Sequence, residues 1–232
     1  MILSVCRPGH VAGAIRHVAE ALQEPLRTAS VSDPDLFMHA LGCRTIVYAA
    51  EPRLLDAAPA PDPERMRAVV RASHAPGVKR VVVVFPIGEA WRAEADVLQR
   101  DGVAYTILRS RALVDELADS TNLHTARSVW LPRGQTVDLV ARPALASTIE
   151  DAITRDDLCG GELDVPAERM EIAEALRRAA SAAGAAVHVH EASPSISFAM
   201  RKLSLWMGLE PPELEGIFDR LGERGSSRLS AT

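Results

Sequence analysis

The sequence predicts an α/β protein, in which helices cover both faces of a mostly parallel β-sheet and a smaller lobe follows at the C-terminal end. Short apolar runs of strand length alternate with segments whose apolar residues recur at helical spacing. Apolar residues make up 47% of the 232 residues but aromatic residues only 4%, which indicates an aliphatic core. This length fits one such domain with an elaborated C-terminal part.

The N-terminal half contains alternating predicted strands and helices. The strands are expected near Ile2 to Cys6, Leu26 to Val31, Thr45 to Tyr48, Arg80 to Phe85 and Val103 to Leu108. The helices are expected near Val11 to Leu22, Leu36 to Leu41, Pro63 to Ser73 and Ala90 to Gln99. In the last helix we expect an apolar stripe of Trp91, Ala95 and Leu98. We expect its other face, with Arg92, Glu94 and Asp96, to lie in solvent.

The pattern changes after Arg109. Short strands are expected in "SVWLPRGQTVDLV", around a Pro-Arg-Gly turn. Helices are expected in "RPALASTIEDAIT", "RMEIAEALRRAASAAG" and "SFAMRKLSLWMG", and a disordered tail at the end of "GERGSSRLSAT". We therefore expect a core in residues 1–110, a portion that partly completes the sheet and forms a substrate lobe in residues 111–225, and a disordered tail in residues 226–232.

Composition argues against several classes of partner. The formal net charge is -5 and no dense Lys/Arg patch occurs, so nucleic acid is not an expected partner. The three cysteines, at unrelated spacings, are Cys6, Cys43 and Cys159. They predict reduced thiols in a cytoplasmic protein and no metal site. No run approaches the roughly 20 apolar residues of a membrane span, so we expect no membrane partner.

The opening "MILSVCRPGHVAGAIRHVAEAL" has the strand, turn and helix of a dinucleotide-binding fold. Such a turn has three glycines, which let the backbone approach a pyrophosphate, and here the matching residues are Cys6, Gly9 and Ala12. The helix N-terminus still offers N–H groups and a partial positive charge. The expected cofactor-binding residues of this degenerate turn are therefore Cys6, Gly9, His10 and Val11.

Two longer stretches carry a family resemblance. They are "GVKRVVVVFPIGEAWRAEADVLQRDGVAYTILRSRALVDEL" and "GELDVPAERMEIAEALRRAASAAGAAVHVHEAS". Together with the opening turn they cover nearly the whole chain, which resembles the NmrA-like, atypical short-chain dehydrogenase/reductase proteins. The resemblance implies a Rossmann-like three-layer sandwich, a nicotinamide-type crevice and a small-molecule substrate.

The chain departs from this family at the residues that do the chemistry. The family's second strand ends in a charged residue that holds the adenosine ribose, but "EALQEPLRTASVSDPDLFMHAL" leads directly to the segment that follows the third strand. We therefore expect the second family strand and its ribose anchor to be missing. The family's tyrosine with a lysine four residues later is also missing, since Pro52 follows Tyr48 and Arg109 follows Tyr105 at that spacing.

Candidate site residues fall at the ends of the predicted strands. His10 and Arg109 are the candidate catalytic residues. Ala50, Phe85, Pro86, Trp91 and Arg109 are the candidate substrate-binding residues, and Ala50 precedes the loop "EPRLLDAAPAPDP", a candidate pocket wall. Each has a structural alternative: a helix surface for His10, a salt bridge for Arg109, and plain core for Phe85, Pro86 and Trp91.

Further residues also allow two interpretations. Cys6 is either a nucleophile whose pKa is lowered by the helix N-terminus or a buried thiol. His188 and His190 have a spacing that can hold a metal, but no third ligand is evident, so we expect a half-exposed edge strand and no metal. Trp130, Trp206 and Met207 are expected to pack in a lid or in the core.

These observations favour a protein that binds or transforms a small, largely apolar organic molecule without hydride transfer, by cyclisation, dehydration or isomerisation in a biosynthetic pathway. One alternative is an NAD(P)-dependent reductase with a weakened cofactor site. The other is a non-catalytic ligand sensor or interaction protein. We expect no resident cofactor, or only weak NAD(P) binding. The sequence leaves open whether the chain forms a homodimer.

Overall fold

A computed structural model describes residues 1–49, 62–87, 91–120, 128–193, 195–197 and 200. The chain divides into two compact units, of which unit 1 comprises residues 1–112 and 142–166. The remaining described residues belong to unit 2. Within the described residues, no helix is both long and apolar enough to cross a membrane.

The described elements are numbered along the chain. The strands are β1 (Ile2–Val5), β2 (Leu26–Ala29), β3 (Thr45–Ala49), β4 (Arg80–Pro86), β5 (Tyr105–Ser110), β6 (Ser128–Pro132), β7 (Thr136–Leu139), β8 (Glu162–Asp164), β9 (Glu168–Glu171) and β10 (His188–Ala192). The helices are α1 (His10–Ala21), α2 (Leu36–Ala40), α3 (Pro63–Ser73), α4 (Arg92–Arg100), α5 (Val114–Ser120), α6 (Arg142–Thr154) and α7 (Ile172–Ala182).

Unit 1 contains a six-stranded sheet in the order β2-β1-β3-β4-β5-β8. Every neighbouring pair is parallel. Helices flank this sheet, which confirms the predicted mixed α/β, Rossmann-like fold. β2 lies directly beside β1 at one edge of the sheet. The loss of one strand relative to the family stays a prediction.

The local sequence explains the central elements. All seven residues of β4 are buried, as expected for a β-branched strand in the middle of a parallel sheet. The Asp62 carboxylate caps α3 by accepting a hydrogen bond from the Glu64 N–H, and Pro63 occupies the first turn, where its missing N–H costs nothing. α3 therefore begins at the predicted residue and packs beside α4.

Two sequence-based expectations are wrong in detail. Glu94 is fully buried instead of facing solvent, because its Oε1 accepts a hydrogen bond from the Asp62 N–H at 2.8 Å. The helix expected from "RMEIAEALRRAASAAG" begins only at Ile172, because the preceding Glu168–Glu171 pairs as a strand with β7.

The described part of unit 2 contains two two-stranded sheets and the helices α5 and α7. β6 and β10 form a parallel pair, and β7 and β9 an antiparallel pair. α5 packs beside α7. His188–Ala192 is a half-exposed edge strand, as predicted.

Candidate functional site

The candidate site lies in unit 1, at the carboxyl ends of β1, β2 and β3. β1 stands between β2 and β3 in the sheet, so the chain order reverses at β1. Open α/β sheets bind ligands outside the carboxyl ends of the strands at such a reversal. A pocket of about 300 Å³ lies there, here named the switch-point pocket. It is lined by Val5, Cys6, Arg7, Ser30, Val31, Ser32, Tyr48, Ala49, Asp62, Glu64, Arg65 and Ala68.

The wall formed by the ends of β1 and β3 is mainly apolar. Val5, Tyr48 and Ala49 are buried and belong to the strands themselves. Ala68 adds a small side chain from α3. A ligand body in the switch-point pocket would therefore contact aliphatic and aromatic carbon.

The rim of the pocket is polar. The loop after β2 supplies Ser30 and Ser32, whose hydroxyl oxygens lie 2.9 Å apart. Arg65 extends from α3 and lies 3.4 Å from the Asp62 carboxylate. Arg7 is exposed in the turn that follows β1. Hydroxyl and guanidinium groups can bind a hydroxyl or an anionic group of a ligand.

Sequence reasoning missed Ser30, Ser32 and Arg65. One local signal was available for the two serines, because they follow directly on a predicted strand and the carboxyl ends of parallel strands line the crevice. Arg65 carries no such signal. Its contribution depends on the packing of the first turn of α3 beside the sheet.

Cys6 lies in this pocket as a partly buried thiol. Its Sγ is 3.1 Å from the Ser4 Oγ. Burial raises the pKa of the Cys6 thiol, and the hydrogen bond to Ser4 only partly opposes this effect. The geometry therefore favours the buried-thiol alternative over a nucleophile with a lowered pKa.

We expect iodoacetamide at pH 8 to alkylate the exposed Cys159 well before Cys6 and Cys43. The attacking species is the thiolate, and burial raises the pKa of both Cys6 and Cys43. Peptide mass spectrometry over a time course measures the order, and Cys159→Ser removes the fast phase. Alkylation of Cys6 as fast as Cys159 would restore the nucleophile hypothesis.

The degenerate turn leads into α1 without strained backbone. Gly9 is the N-cap residue and has extended dihedral angles, φ 166° and ψ -168°. Val11 is buried, whereas His10 is partly exposed at the first helical position. The N–H groups of this first turn have no partner inside the helix, which is the feature that the predicted cofactor-binding role requires.

His10 has a contact that limits its chemistry. Its Nδ1 lies 3.4 Å from a guanidinium nitrogen of Arg142, at the start of α6. Arginine only donates, so Nδ1 accepts, and the neutral imidazole then carries its proton on Nε2. While this contact is made, the Nδ1 lone pair is not available to accept a proton, which disfavours a general base at Nδ1.

The three residues predicted as an apolar pocket floor are buried. Phe85 and Pro86 end β4, and Trp91 directly precedes α4. The Phe85 and Trp91 rings stack with centroids 5.2 Å apart, and both rings belong to the main core of unit 1. None of the three lines the switch-point pocket. The geometry thus favours the core alternative, and a contact with substrate stays a prediction.

Arg109 is half exposed and meets carboxylates of the neighbouring strand β8. Its Nε donates to the Asp164 Oδ1 at 3.0 Å, and another of its nitrogens lies 3.6 Å from the Glu162 Oε2. Both contacts are made within the protein and require no ligand. They favour the salt-bridge alternative for Arg109.

The aromatic and histidine residues of unit 2 form a separate group. Trp130 on β6 stacks on His190 of β10, with ring centroids 4.5 Å apart, and His188 lies beside His190. In the part of the chain that the structure describes, no group of three metal-ligating side chains occurs. Ala50, Trp206 and Met207 lie outside the described residues.

The fold resembles those of several solved enzymes. A dTDP-4-dehydrorhamnose reductase from Bacillus anthracis in complex with NADP matches with a TM-score of 0.59, at 13% identity over 84% of this chain and 85% of that chain. A nucleoside-diphosphate-sugar epimerase from Staphylococcus aureus matches with a TM-score of 0.54, at 15% identity over 83% and 80%. An isoflavone reductase matches with a TM-score of 0.53, at 13% identity over 84% and 79%.

At these identities the likeness establishes the fold alone. No protein-family model and no curated protein matches the chain.

A dinucleotide fits the described residues only in part. The hydroxyls of Ser30 and Ser32 stand after β2, where they could contact a ribose or a phosphate. The hydride-transfer residues do not fit. Tyr105 begins β5, at the amino edge of the sheet, and Lys79, the one lysine among the described residues, directly precedes β4 at that same edge. No hydride step can be derived from these residues.

Proposed function

We propose that this chain binds a small, largely apolar organic molecule with a polar or anionic end in the switch-point pocket, and transforms it without hydride transfer. The composition and position of the pocket support this proposal. Its apolar wall at the ends of β1 and β3 faces a rim of hydroxyl and guanidinium groups at the position where a Rossmann-like fold binds ligands.

The polar rim sets the expected orientation of the molecule. Its apolar body packs on Val5, Tyr48 and Ala49, and its polar end meets Ser30 and Ser32. The proposed reaction class is cyclisation, dehydration or isomerisation. These reactions need a shaped cavity and proton transfer but no redox cofactor. Membership of a biosynthetic pathway is part of this proposal.

A fluorescent probe that, like the proposed ligand, has an apolar body and an anionic end tests binding in the switch-point pocket. We expect 1-anilinonaphthalene-8-sulfonate, an apolar body with one anion, to bind the native protein with saturable enhancement of its fluorescence. Ser32→Trp places a large side chain at the exposed rim of the pocket and should remove most of this signal. Ser181→Trp, at an exposed position of α7 in unit 2, is the matched control and should leave it unchanged.

A second candidate function is an NAD(P)-dependent reductase, and the strand, turn and helix at the start of the chain favour it. Titration calorimetry with NADPH and NADH separates the two. We expect no binding at low-micromolar concentration. A low-micromolar dissociation constant that Ser32→Trp abolishes would overturn our proposal in favour of the reductase.

A further inference from the structure

The edge of the sheet formed by β2 has open backbone groups. The Ile2 N–H of β1 donates to the Pro25 carbonyl at 2.9 Å, so the backbone groups of Pro25 point toward β1. Because backbone groups alternate in direction along a strand, those of Arg27 and Ala29 point toward β1 and those of Leu26 and Thr28 point away from it. No described strand lies beyond β2.

A groove runs beside this edge on the α1 face of the sheet. It has a volume of about 540 Å³ and is lined by Arg16, Ala19, Glu20, Gln23, Glu24, Pro25, Leu26 and Thr28. Arg16 and Glu20 are exposed one helical turn apart. α1 runs antiparallel to β2, since it connects two parallel strands, so Arg16 lies toward the C-terminal end of β2 and Glu20 toward its N-terminal end.

The other face of the same edge carries exposed apolar side chains. α2 packs against β2, and Arg27 on β2 donates to the His39 carbonyl near the end of α2 at 2.7 Å. The helix exposes Phe37 and Met38, with 42% and 58% of their surface accessible. Exposed large apolar side chains beside the open edge of a strand are a feature of interaction surfaces.

We infer that this edge binds a second copy of the same chain, with β2 pairing antiparallel to β2 of the partner subunit about a two-fold axis. The axis passes beside Arg27, so that Leu26 faces Thr28 of the partner subunit and each such pair exchanges two backbone hydrogen bonds.

Charge complementarity selects this occupant. The two-fold operation reverses the direction of the strand, so the basic end of one groove meets the acidic end of the other. Arg16 then faces Glu20 of the partner subunit, and this contact occurs twice. A surface with opposite charges at its two ends is complementary to its own copy.

Charge reversal at α1 tests the inference by sedimentation velocity on the full chain at about 50 mM salt, where screening is weak. The native chain should dimerise at micromolar concentration. Arg16→Glu and Glu20→Arg should each raise the dimer dissociation constant by about tenfold or more, because each places like charges opposite one another across the axis. An equimolar mixture of the two variants should restore dimers, because every contact across the axis then joins opposite charges.

Two further variants complete the test. Thr28→Pro removes an outward N–H that β1 does not use and should also dissociate the dimer, while circular dichroism checks that the fold is kept. Arg71→Glu, at an exposed position of α3, is the matched control and should not change association. A monomer at tens of micromolar, or a dimer that withstands both charge reversals and Thr28→Pro, overturns the inference.

Discussion

Replacing Arg80 by methionine is expected to lower the free energy of unfolding by about 2 to 4 kcal/mol, because the guanidinium stabilises the end of a neighbouring helix. Arg80 begins β4 and is only 8% exposed. It donates to the carbonyls of Ala152 and Arg155 at 2.7 and 2.8 Å and to the Asp156 carboxylate at 2.7 Å. Methionine fills a similar volume but removes the donor from the two carbonyls, while the fully exposed Asp156 carboxylate stays hydrated.

The position of these carbonyls explains the size of the effect. The last carbonyls of a helix have no partner within it, and they form the negative end of the helix dipole. A buried cation at the end of α6 satisfies both requirements, and it also joins α6 to the central strand β4.

Urea unfolding monitored by circular dichroism measures the loss. Arg80→Lys should be intermediate, since it keeps the charge but has a single donor group. Arg155→Met is the matched control in the same segment, because the Arg155 side chain pairs with the exposed Asp157 and the backbone carbonyl of residue 155 is retained. Equal stability of Arg80→Met and the native chain would show that Arg80 does not hold α6.

The positions of the strands and helices in unit 1 could be predicted because apolar periodicity determines them locally. α3 begins and ends at the predicted residues, and β1 to β5 begin and end within two residues of prediction, whereas no strand is predicted at β8. The burial of Glu94 could not be predicted in this way. It depends on the Asp62 N–H, which lies 32 residues earlier in the chain.

The same distinction applies to the candidate site. Cys6 and Gly9 follow a strand in the first turn, so their place near the crevice is visible in the sequence. Arg65 joins Cys6 in the pocket only when the first turn of α3 packs beside the sheet. Whether Phe85 and Trp91 lie in the core or in a pocket floor depends on how their rings stack, and this geometry cannot be predicted from a sequence pattern.

Replacing Trp91 by alanine is expected to lower the free energy of unfolding by about 3 to 5 kcal/mol, the usual cost of removing a large buried aromatic side chain. Trp91 is 3% exposed and stacks on Phe85, which is 2% exposed. Alanine leaves a cavity beside Phe85 in the main core of unit 1. Trp91→Phe should cost much less, because it keeps an aromatic ring in contact with Phe85.

This measurement decides between the two roles considered for Trp91. Ile87→Ala is the matched control, because Ile87 follows β4 directly but is 39% exposed and should lose little stability. Circular dichroism follows the unfolding, since the substitution removes a fluorophore. If Trp91 lined a ligand site, its truncation would cost about 1 kcal/mol or less and would instead weaken binding of the naphthalene sulfonate probe. We expect the reverse, because a ring that is 3% exposed and stacks on Phe85 within the core contributes to folding and offers little surface to a ligand.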